Sequence, residues 1–219
     1  MPGFTVVVEG ARIVTQVGRS TRPRQLPPTP PTSSHSKRPG GVERPCLRSL
    51  NMPILETGRL LLRPWSGNDF NSYAQMMAHP EVVRFLGHDP LDRAEAWRSL
   101  ALLIGHDVLR GFTLNAVVDK ATDRVVGRCG LWCPEGWPGL EVGWALDPEV
   151  WGRGFATEAA AAWRYYAFEV LGADEIVSIV HELNVRSAAV AQRIGQSFVR
   201  RFQFRGHPCH LYGQRRPDW

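Results

Sequence analysis

The sequence has few of the features that would assign it at once to a class of protein: it lacks long apolar runs and regularly spaced cysteines, and after residue 51 it is poor in lysine. It contains no run of eighteen uncharged apolar residues, which excludes an ordinary membrane-spanning helix. Its four cysteines (Cys46, Cys129, Cys133 and Cys209) are irregularly spaced, so we expect free thiols in a reducing compartment rather than a disulfide framework. After residue 51 the only lysine is Lys120, and this part of the chain therefore offers no lysine-rich surface for nucleic acid.

The net charge of +5 comes from the first 51 residues. They carry eight basic and two acidic residues, a net charge of +6, whereas the remaining 168 residues carry 18 basic and 19 acidic ones, a net charge of −1. A near-neutral remainder does not support a basic groove for nucleic acid.

The same 51 residues are predicted to be an extension of the folded domain. Residues 18–51 are rich in proline, serine and arginine and too poor in apolar residues to bury a core, so we expect disorder. Residues 4–17 have strand-like composition without an obvious partner. Three interpretations stay open: translation that begins at Met52, a disordered arm, and a targeting or ribosome-binding segment. The predicted domains are 1–51, the basic extension, and 52–219, the folded part.

From residue 55 onwards the hydrophobic pattern predicts an α+β domain with a mostly antiparallel sheet. The predicted element order is β–α–α–β–β–β–α–β–α–β–β, with a hairpin at "DKATDRVVG" and a closing hairpin at the end. Two helices show an apolar stripe. The predicted stripes are Leu91, Ala94, Trp97, Leu100 or Ala101 and Ile104 in the first, and Phe155, Ala159, Ala162, Trp163, Tyr166 and Val170 in the second.

A glycine-rich turn, "WGRGFAT", comes directly before the second of these helices. A dinucleotide-binding turn would need a third glycine where Thr157 stands, and a phosphate loop would need Gly-Lys-Ser/Thr. Gly152 and Gly154 still allow the backbone to fold around an anion, with the amides of residues 151–156 pointing inward and Arg153 adding a positive charge. A capped loop without a ligand is the competing interpretation.

The stretch from "EVGWALDPEVWGRGFATEA" to "NVRSAAVAQRIG" resembles the GNAT acyl-CoA N-acetyltransferases, in particular the RimJ/RimL-like branch. In that family a strand precedes Q/R-x-x-G-x-G/A and a helix, and a second strand precedes N-x-x-S and the last helix. The resemblance covers about residues 54–219 and implies a GNAT fold, in which about seven strands splay around the acyl-CoA site. Three departures are a Glu149 at the first motif position, an Ala191 where a tyrosine is common, and "IGQSF" in place of "LGF".

The resemblance also implies a set of site residues. The expected contacts of acetyl-CoA, the co-substrate, are Trp144, Leu146, Trp151, Gly152, Arg153, Gly154, Phe155, Ala156, Thr157 and Asn184. Glu141 is the first candidate for the base that deprotonates the amine, and His181 is the second. Ser187 is a candidate donor to the departing sulfur. Each of the three candidates also has a purely structural interpretation: a strand-end glutamate, a strand histidine and a helix-start serine.

The acceptor is expected to bind between the helical region 80–110 and the connection 132–139. Trp132 and Trp137 are candidate walls, and Glu135 is a candidate attraction for a cationic amine. The motif "HPCH" could suggest a metal, but alternating strand residues explain it, and no metal is expected.

These observations favour a cytoplasmic N-acetyltransferase that acetylates a primary amine, either a protein N-terminus or a small molecule, by direct attack. The expected partners are acetyl-CoA and the amine, with a homodimer left open and neither a membrane nor nucleic acid favoured. Two alternatives stay open: a coenzyme A-binding sensor or scaffold without turnover, and a tether whose functional part is the extension.

Overall fold

One mixed sheet organises the protein. The computed structural model describes residues 5–8, 11–14 and 53–216. The strands are β1 (Thr5–Val8), β2 (Ala11–Val14), β3 (Ile54–Glu56), β4 (Leu60–Arg63), β5 (Leu114–Asp119), β6 (Arg124–Trp132), β7 (Glu141–Leu146), β8 (Glu175–His181), β9 (Ser197–Phe204) and β10 (His207–Arg215). They lie side by side in the order β1-β2-β3-β4-β5-β6-β7-β8-β10-β9.

The described residues form five α-helices beside this sheet. They are α1 (Phe70–Met77), α2 (Pro80–Val83), α3 (Arg93–Arg110), α4 (Phe155–Tyr165) and α5 (Val185–Arg193). The segment Tyr166–Val170 continues α4 with a wider π-helical turn. None of the helices in the described part of the chain is long and apolar enough to cross a membrane.

All neighbouring strands run antiparallel except β7 and β8, which are parallel. Antiparallel neighbours can be joined by short turns, whereas the parallel pair requires the long crossover that contains α4. The α+β class and the hairpin between β5 and β6 are thereby confirmed.

Three strands at the start of the sheet, β1, β2 and β3, exceed the predicted number of about seven. The three-residue strand β3 was missed because so short a run carries no readable alternation. The strand-like composition of residues 4–17 corresponds to β1 and β2, and the missing partner is β3, which pairs with β2. The predicted disorder of residues 18–51 lies outside the described residues, and the boundary at residue 52 stays a prediction.

The two faces of the sheet pack against different helices. One core joins the sheet to α4, its largest fully buried members being Trp163, Phe155 and Phe168. The other core joins the opposite face to α1, α2 and α3, around Tyr73 and Met77. Because side chains alternate along a strand, one strand such as β7 serves both cores.

The predicted buried stripe of α3 was wrong except at Leu100. The structure buries Ala96, Leu100, Leu103, His106 and Asp107, and it leaves Trp97 61% and Ile104 42% exposed. The helix carries apolar residues on several faces, so helical spacing alone allowed more than one stripe. The small side chain of Ala96 belongs to the stripe that packs in the core shared with α1.

The predicted stripe of α4 was correct up to its last member. Phe155, Ala159, Ala162, Trp163 and Tyr166 are buried, whereas Val170 is half exposed. The helix widens to a π turn from Tyr166 onwards, which rotates the following residues away from the 3.6-residue spacing.

Candidate active site

A gap opens between the parallel strands β7 and β8. The two strands pair at a single position, Glu141 with Val177. At this point the amide of Val177 donates to the carbonyl of Leu140 at 2.9 Å. One residue further along β8, the hydroxyl of Ser178 replaces the main chain and donates to the carbonyl of Val142 at 2.7 Å. Beyond these contacts the strands diverge, and the edge of β7 that faces β8 is open.

Trp144 presents its main chain to this gap. The carbonyls of Leu140 and Val142 both point toward β8, and because main-chain groups alternate along a strand, those of Trp144 and Leu146 point the same way. The carbonyl of Leu146 accepts a hydrogen bond from the indole of Trp151 at 2.8 Å, so it is partly used. The main-chain groups of Trp144 facing the gap therefore remain the main candidates to bond a ligand there.

The glycine turn lies where β7 leads into α4. Gly152 and Gly154 both have left-handed backbones, with φ values of 77° and 80°, which favour glycine. Helix α4 begins directly afterwards at Phe155, and Gly154 supplies no side-chain cap. The first-turn amides of a helix have no partner within it, so a ligand can use them.

The predicted set of inward amides, residues 151–156, was too large. The amide of Trp151 donates to the carbonyl of Pro148 at 3.1 Å, and that of Arg153 donates to Val150 at 3.4 Å. Within the described residues, no acceptor is found for the amides of Gly152 and residues 154–157. These amides form the donor set of the turn.

Arg59, directly before β4, contacts the glycine turn, and the sequence did not indicate this contact. Its guanidinium donates to the carbonyl of Arg153 at 2.8 Å and to the carboxylate of Glu158, in the first turn of α4, at 2.7 Å. Arg59 and Arg153 both stack on the ring of Phe155, at 4.8 and 4.4 Å from its centroid. Arg153 also lies 3.7 Å from the buried carboxylate of Asp119. Two guanidinium groups therefore flank the turn.

Glu158 is held ionised by the same contacts. Burial alone would raise the pKa of its carboxyl, but hydrogen bonds from Thr57 and Arg59 hold the pKa below its usual value. The Thr57 hydroxyl donates at 2.5 Å and the Arg59 amide at 2.9 Å. These bonds tie the start of α4 to the sheet, and they neutralise a negative charge that would otherwise oppose an anion.

Glu141 lies at the closed end of the gap. Its carboxylate accepts a hydrogen bond from the indole of Trp137 at 2.7 Å and a longer one from the amide of Ile179 at 3.4 Å. Burial raises the pKa of this carboxyl to about 7, and the hydrogen bonds together with the charges of Arg128 and Arg205 reduce that effect. A carboxyl that titrates near neutral pH is suited to accept a proton from an amine.

Aromatic rings line the space beside Glu141. Trp137 packs edge-on against Trp132 and Phe204, with centroid distances of 6.3 and 4.9 Å. The ring of His106 stacks on Trp132 at 4.1 Å. The two tryptophans therefore lie together, as a wall requires. Glu135, in contrast, is fully exposed and pairs with Arg110 at 3.7 Å, so it faces solvent rather than the carboxyl of Glu141.

His106 is buried beside this wall but is not a suitable base. One ring nitrogen hydrogen-bonds the carbonyl of Phe112 at 2.8 Å, and the other accepts from the amide of Cys133 at 3.2 Å. Burial lowers the pKa of the ring. A neutral ring with both nitrogens engaged has no lone pair left for a substrate proton.

Ser187 and Asn184 lie at the other side of the gap, at the start of α5. Asn184 caps this helix, since its side-chain oxygen accepts from the amide of Ser187 at 3.1 Å. The hydroxyl of Ser187 accepts from the indole of Trp144 at 3.3 Å. Because that hydroxyl accepts this bond, its own hydrogen is available for a ligand.

His181 lies at the end of β8, two residues (~7 Å along the strand) beyond Ile179, whose amide donates to the Glu141 carboxylate. One ring nitrogen accepts from the amide of Leu183 at 3.2 Å, and the ring packs near Phe85 at 5.1 Å. The charge of Glu141 also acts on Cys209, which pairs with His181 across β8 and β10, so the two candidate bases lie in the same part of the gap.

The cysteines and the "HPCH" motif form no additional centre in the described range. Cys129, Cys133 and Cys209 are free thiols. His207 and Cys209 alternate with His210 along β10. Among residues 53–216, no three His, Cys, Asp or Glu side chains are grouped as metal ligands would be.

Comparison with known proteins identifies the family. The sequence model of the Acetyltransferase (GNAT) domain matches residues 59–197. The chain belongs to the GNAT acetyltransferase family. This GNAT chain is 30% identical over 138 residues to the uncharacterized N-acetyltransferase p20 of Bacillus licheniformis, which covers 62% of this chain and 78% of that protein.

Solved structures show the same fold. An acetyltransferase from Agrobacterium tumefaciens is 32% identical, with a TM-score of 0.66 over 74% of this GNAT chain and 94% of that chain. The ribosomal L7/L12 alpha-N-protein acetyltransferase RimL, solved in complex with coenzyme A, has a TM-score of 0.60 over 73% and 95% of the two chains. At 16% identity the second likeness concerns the fold alone. The predicted GNAT fold and N-acetyltransferase class are confirmed.

Proposed function

We propose that this N-acetyltransferase transfers the acetyl group of acetyl-CoA to a primary amine by direct attack. The observation that carries the proposal is that β7 pairs with β8 only at Glu141, so that the edge of β7 is open between Glu141 and the glycine turn that follows the strand. One end of the gap offers donors suited to a diphosphate, and the other end offers a carboxyl that titrates near neutral pH.

The glycine turn fits the diphosphate of the coenzyme. The amides of Gly152 and residues 154–157 are free within the described residues, and Arg59 and Arg153 add positive charge beside them. Trp144 is proposed to bond the pantetheine arm through its main chain, with Leu146 and Asn184 as minor contacts. The thioester supplies an activated acetyl group and a leaving thiol.

Glu141 is proposed to accept the proton that the ammonium group must lose before attack. An alkyl ammonium has a pKa near 10 in water, so it is mostly protonated at neutral pH. As the carbon–nitrogen bond forms and the carbon–sulfur bond breaks, the nitrogen releases its second proton to solvent, and the thiolate leaves and takes a proton from solvent or from Ser187. A thiol with a pKa of about 8.5 leaves without strong acid catalysis, so Ser187 has an assisting role.

The acceptor is proposed to be a small molecule or a protein N-terminus, the latter as in the RimJ/RimL-like branch. His181 remains the second candidate for the base if the amine enters near Phe85. A cytoplasmic location and a homodimer also remain proposals. The three free cysteines of the described part fit a reducing compartment.

Two measurements test the proposal in sequence. Acetyl-CoA should raise the melting temperature of the full chain, because a ligand that binds only the folded state stabilises it. Thiol release should then occur in a screen of small amines and N-terminal peptides. Binding without thiol release from any amine would contradict the proposed turnover and favour a coenzyme-binding sensor. Absence of both would contradict the site itself.

A further inference from the structure

The connection between β6 and β7 fixes the main chain of Trp137 from both sides. In the stretch "CPEGWPG" the amide of Trp137 donates to the carbonyl of Pro134 at 3.1 Å, which closes a four-residue turn. The third residue of that turn, Gly136, has a left-handed φ of 77°, a conformation that glycine adopts without strain. Pro138 follows and disfavours a helical backbone at Trp137. The indole therefore leaves the chain from a defined position.

Side chains from other elements hold the indole ring in place. Trp132, the last residue of β6, packs edge-on against it with the ring centroids 6.3 Å apart, and Phe204, the last residue of β9, does so at 4.9 Å. The guanidinium of Arg205, in the turn between β9 and β10, lies over the same ring at 4.9 Å from its centroid. Edge-to-face and cation–π contacts have preferred geometries, so they orient the ring as well as adding apolar contact.

The N–H of this ring is directed at one oxygen of the Glu141 carboxylate. The distance from Nε1 of Trp137 to Oε2 is 2.7 Å, which is typical of a strong hydrogen bond to an ionised acceptor. The other oxygen, Oε1, has only a long contact with the amide of Ile179 on β8, at 3.4 Å. Each carboxylate oxygen can accept more than one hydrogen bond. Oε2 is therefore the held oxygen, and Oε1 is the one on the side of β8.

We propose that Trp137 is a positioning residue for Glu141, whose N–H holds Oε2 and keeps the carboxyl ionised while Oε1 faces the gap between β7 and β8. This inference rests on the proposed function, in which Glu141 takes the proton of the amine. A donor that bonds the ionised form opposes the effect of burial, which favours the neutral acid. Without this bond, the buried carboxyl would be protonated over a wider pH range and would not be available as a base.

The neighbouring elements bring further ionisable groups toward this carboxyl and its aromatic wall. In the described part of the chain they are Arg128 on β6, His106 on α3, His181 on β8, Cys209 on β10 and Arg205 in the turn after β9. Burial lowers the pKa of His106 and raises that of the Cys209 thiol, and arginine stays charged at every pH of interest. Histidine is the residue type that ordinarily changes charge between pH 5 and 8, so His181→Gln is included in the test.

Trp137→Phe tests the hydrogen bond, because phenylalanine keeps an aromatic ring but has no N–H. The limb of the kcat/KM profile near pH 7, measured by thiol release, should move upward by about one to two pH units, the value of a hydrogen bond to a charged group. Below the limb, kcat/KM should fall by about tenfold to hundredfold for the same reason.

Trp132→Phe is the matched control. It removes an indole from the same wall, whereas the hydrogen bonds to Glu141 come from Trp137 and Ile179. A role of Trp137 in packing alone predicts equal effects of the two substitutions. Positioning predicts that the limb stays in place in Trp132→Phe. Phe204→Leu, which weakens the support of the indole, should move the limb in the same direction as Trp137→Phe but less, and it decides the question if Trp137→Phe does not fold.

A second measurement does not depend on turnover. In protein labelled with ¹³C at the glutamate carboxyl, the resonance of Glu141 is assigned by its absence from Glu141→Gln. Its titration midpoint should rise in Trp137→Phe by the same amount as the limb of kcat/KM and should not change in Trp132→Phe.

A carboxyl midpoint that is the same in Trp137→Phe and the wild-type protein would overturn the inference, as would equal shifts in Trp137→Phe and Trp132→Phe. A limb that His181→Gln removes and Trp137→Phe leaves in place would also overturn it, since the base would then be His181. A midpoint that rises in Trp137→Phe while Glu141→Gln keeps the wild-type rate would have a different meaning: the hydrogen bond would hold the carboxyl as inferred, and the proposed role of Glu141 as the base would fail.

Discussion

The ionised carboxylate of Glu141 should lower the free energy of unfolding above pH 7, which is the pH range in which it can act as a base. Its pKa is raised from 4.5 to about 7 by burial, so the folded protein binds this proton more tightly than the unfolded chain does. The stabilising protonated state is fully present below pH 4.5, and the advantage is lost as the pH rises through 7. Above that pH the folded protein carries the cost of an ionised, buried carboxylate.

Glu141→Gln should remove this cost. The change in pKa from 4.5 to about 7 corresponds to ~3 kcal/mol, which is an upper limit because the ionised form keeps its bond from Trp137. The glutamine oxygen can accept the same bond, and its amide stays neutral at every pH. We expect a gain in the free energy of unfolding of ~1–3 kcal/mol at pH 8 and almost none near pH 4.5.

Urea denaturation followed by tryptophan fluorescence at both pH values measures the gain in the free energy of unfolding. Thiol release at pH 8 measures the loss of activity. If Glu141 is the base, kcat should fall by about 10²- to 10⁴-fold in Glu141→Gln, and the limb of the kcat/KM profile near pH 7 should disappear. Among the described residues, Arg128, Arg205 and Cys209 are ionisable groups that interact electrostatically with this carboxyl.

Asp107→Asn is the matched control. Asp107 is only 3% exposed, one of its carboxylate oxygens has no partner among the described residues, and burial raises its pKa to about 6. It should show a gain in stability of the same sign at pH 8 without a loss of rate. A stability difference between wild type and Glu141→Gln that does not change with pH would refute the reasoning.

Three further predictions concern the coenzyme and the leaving group. Arg59→Ala should raise the KM for acetyl-CoA, because Arg59 acts at the glycine turn. The KM for acetyl-pantetheine, which lacks the diphosphate, should stay unchanged. An equal rise in KM for both thioesters would contradict this role. Ser187→Ala should lower kcat about tenfold or less at pH 7, the value of one hydrogen bond, and an unchanged kcat would remove Ser187 from the reaction. Trp144→Phe loses the indole bond to Ser187 but keeps the main chain. It should lower kcat less than Ser187→Ala does, and the affinity for the coenzyme should change by less than about twofold in a titration. A larger loss of affinity would mean that the indole, rather than the main chain, contacts the coenzyme.

The sequence could predict those features that depend on neighbouring residues. The strand-to-helix order, the hairpins and the left-handed turn at Gly152 and Gly154 follow from local composition and spacing. Glu141, at the closed end of the gap, and Trp144, on the open edge, could be located because the family resemblance implies a splayed strand there.

Features that depend on distant pairing could not be predicted. Arg59 contacts Glu158 across 99 positions, and nothing in "RLLLRPW" indicates that partner. The buried face of α3 was ambiguous because the helix has apolar residues on more than one side, and packing against α1 decided which of them was covered.

The central claim is that the glycine turn grips the diphosphate of acetyl-CoA, and calorimetric titration of the coenzyme tests it most directly. Gly154→Trp and Gly172→Trp both place a bulky residue at a left-handed position, and Gly172 has open space around it, far along the chain from the turn. We predict saturable binding to the wild-type protein and to Gly172→Trp, and its loss in Gly154→Trp. Binding that is absent from the wild-type protein, or equally strong in both variants, would contradict the account.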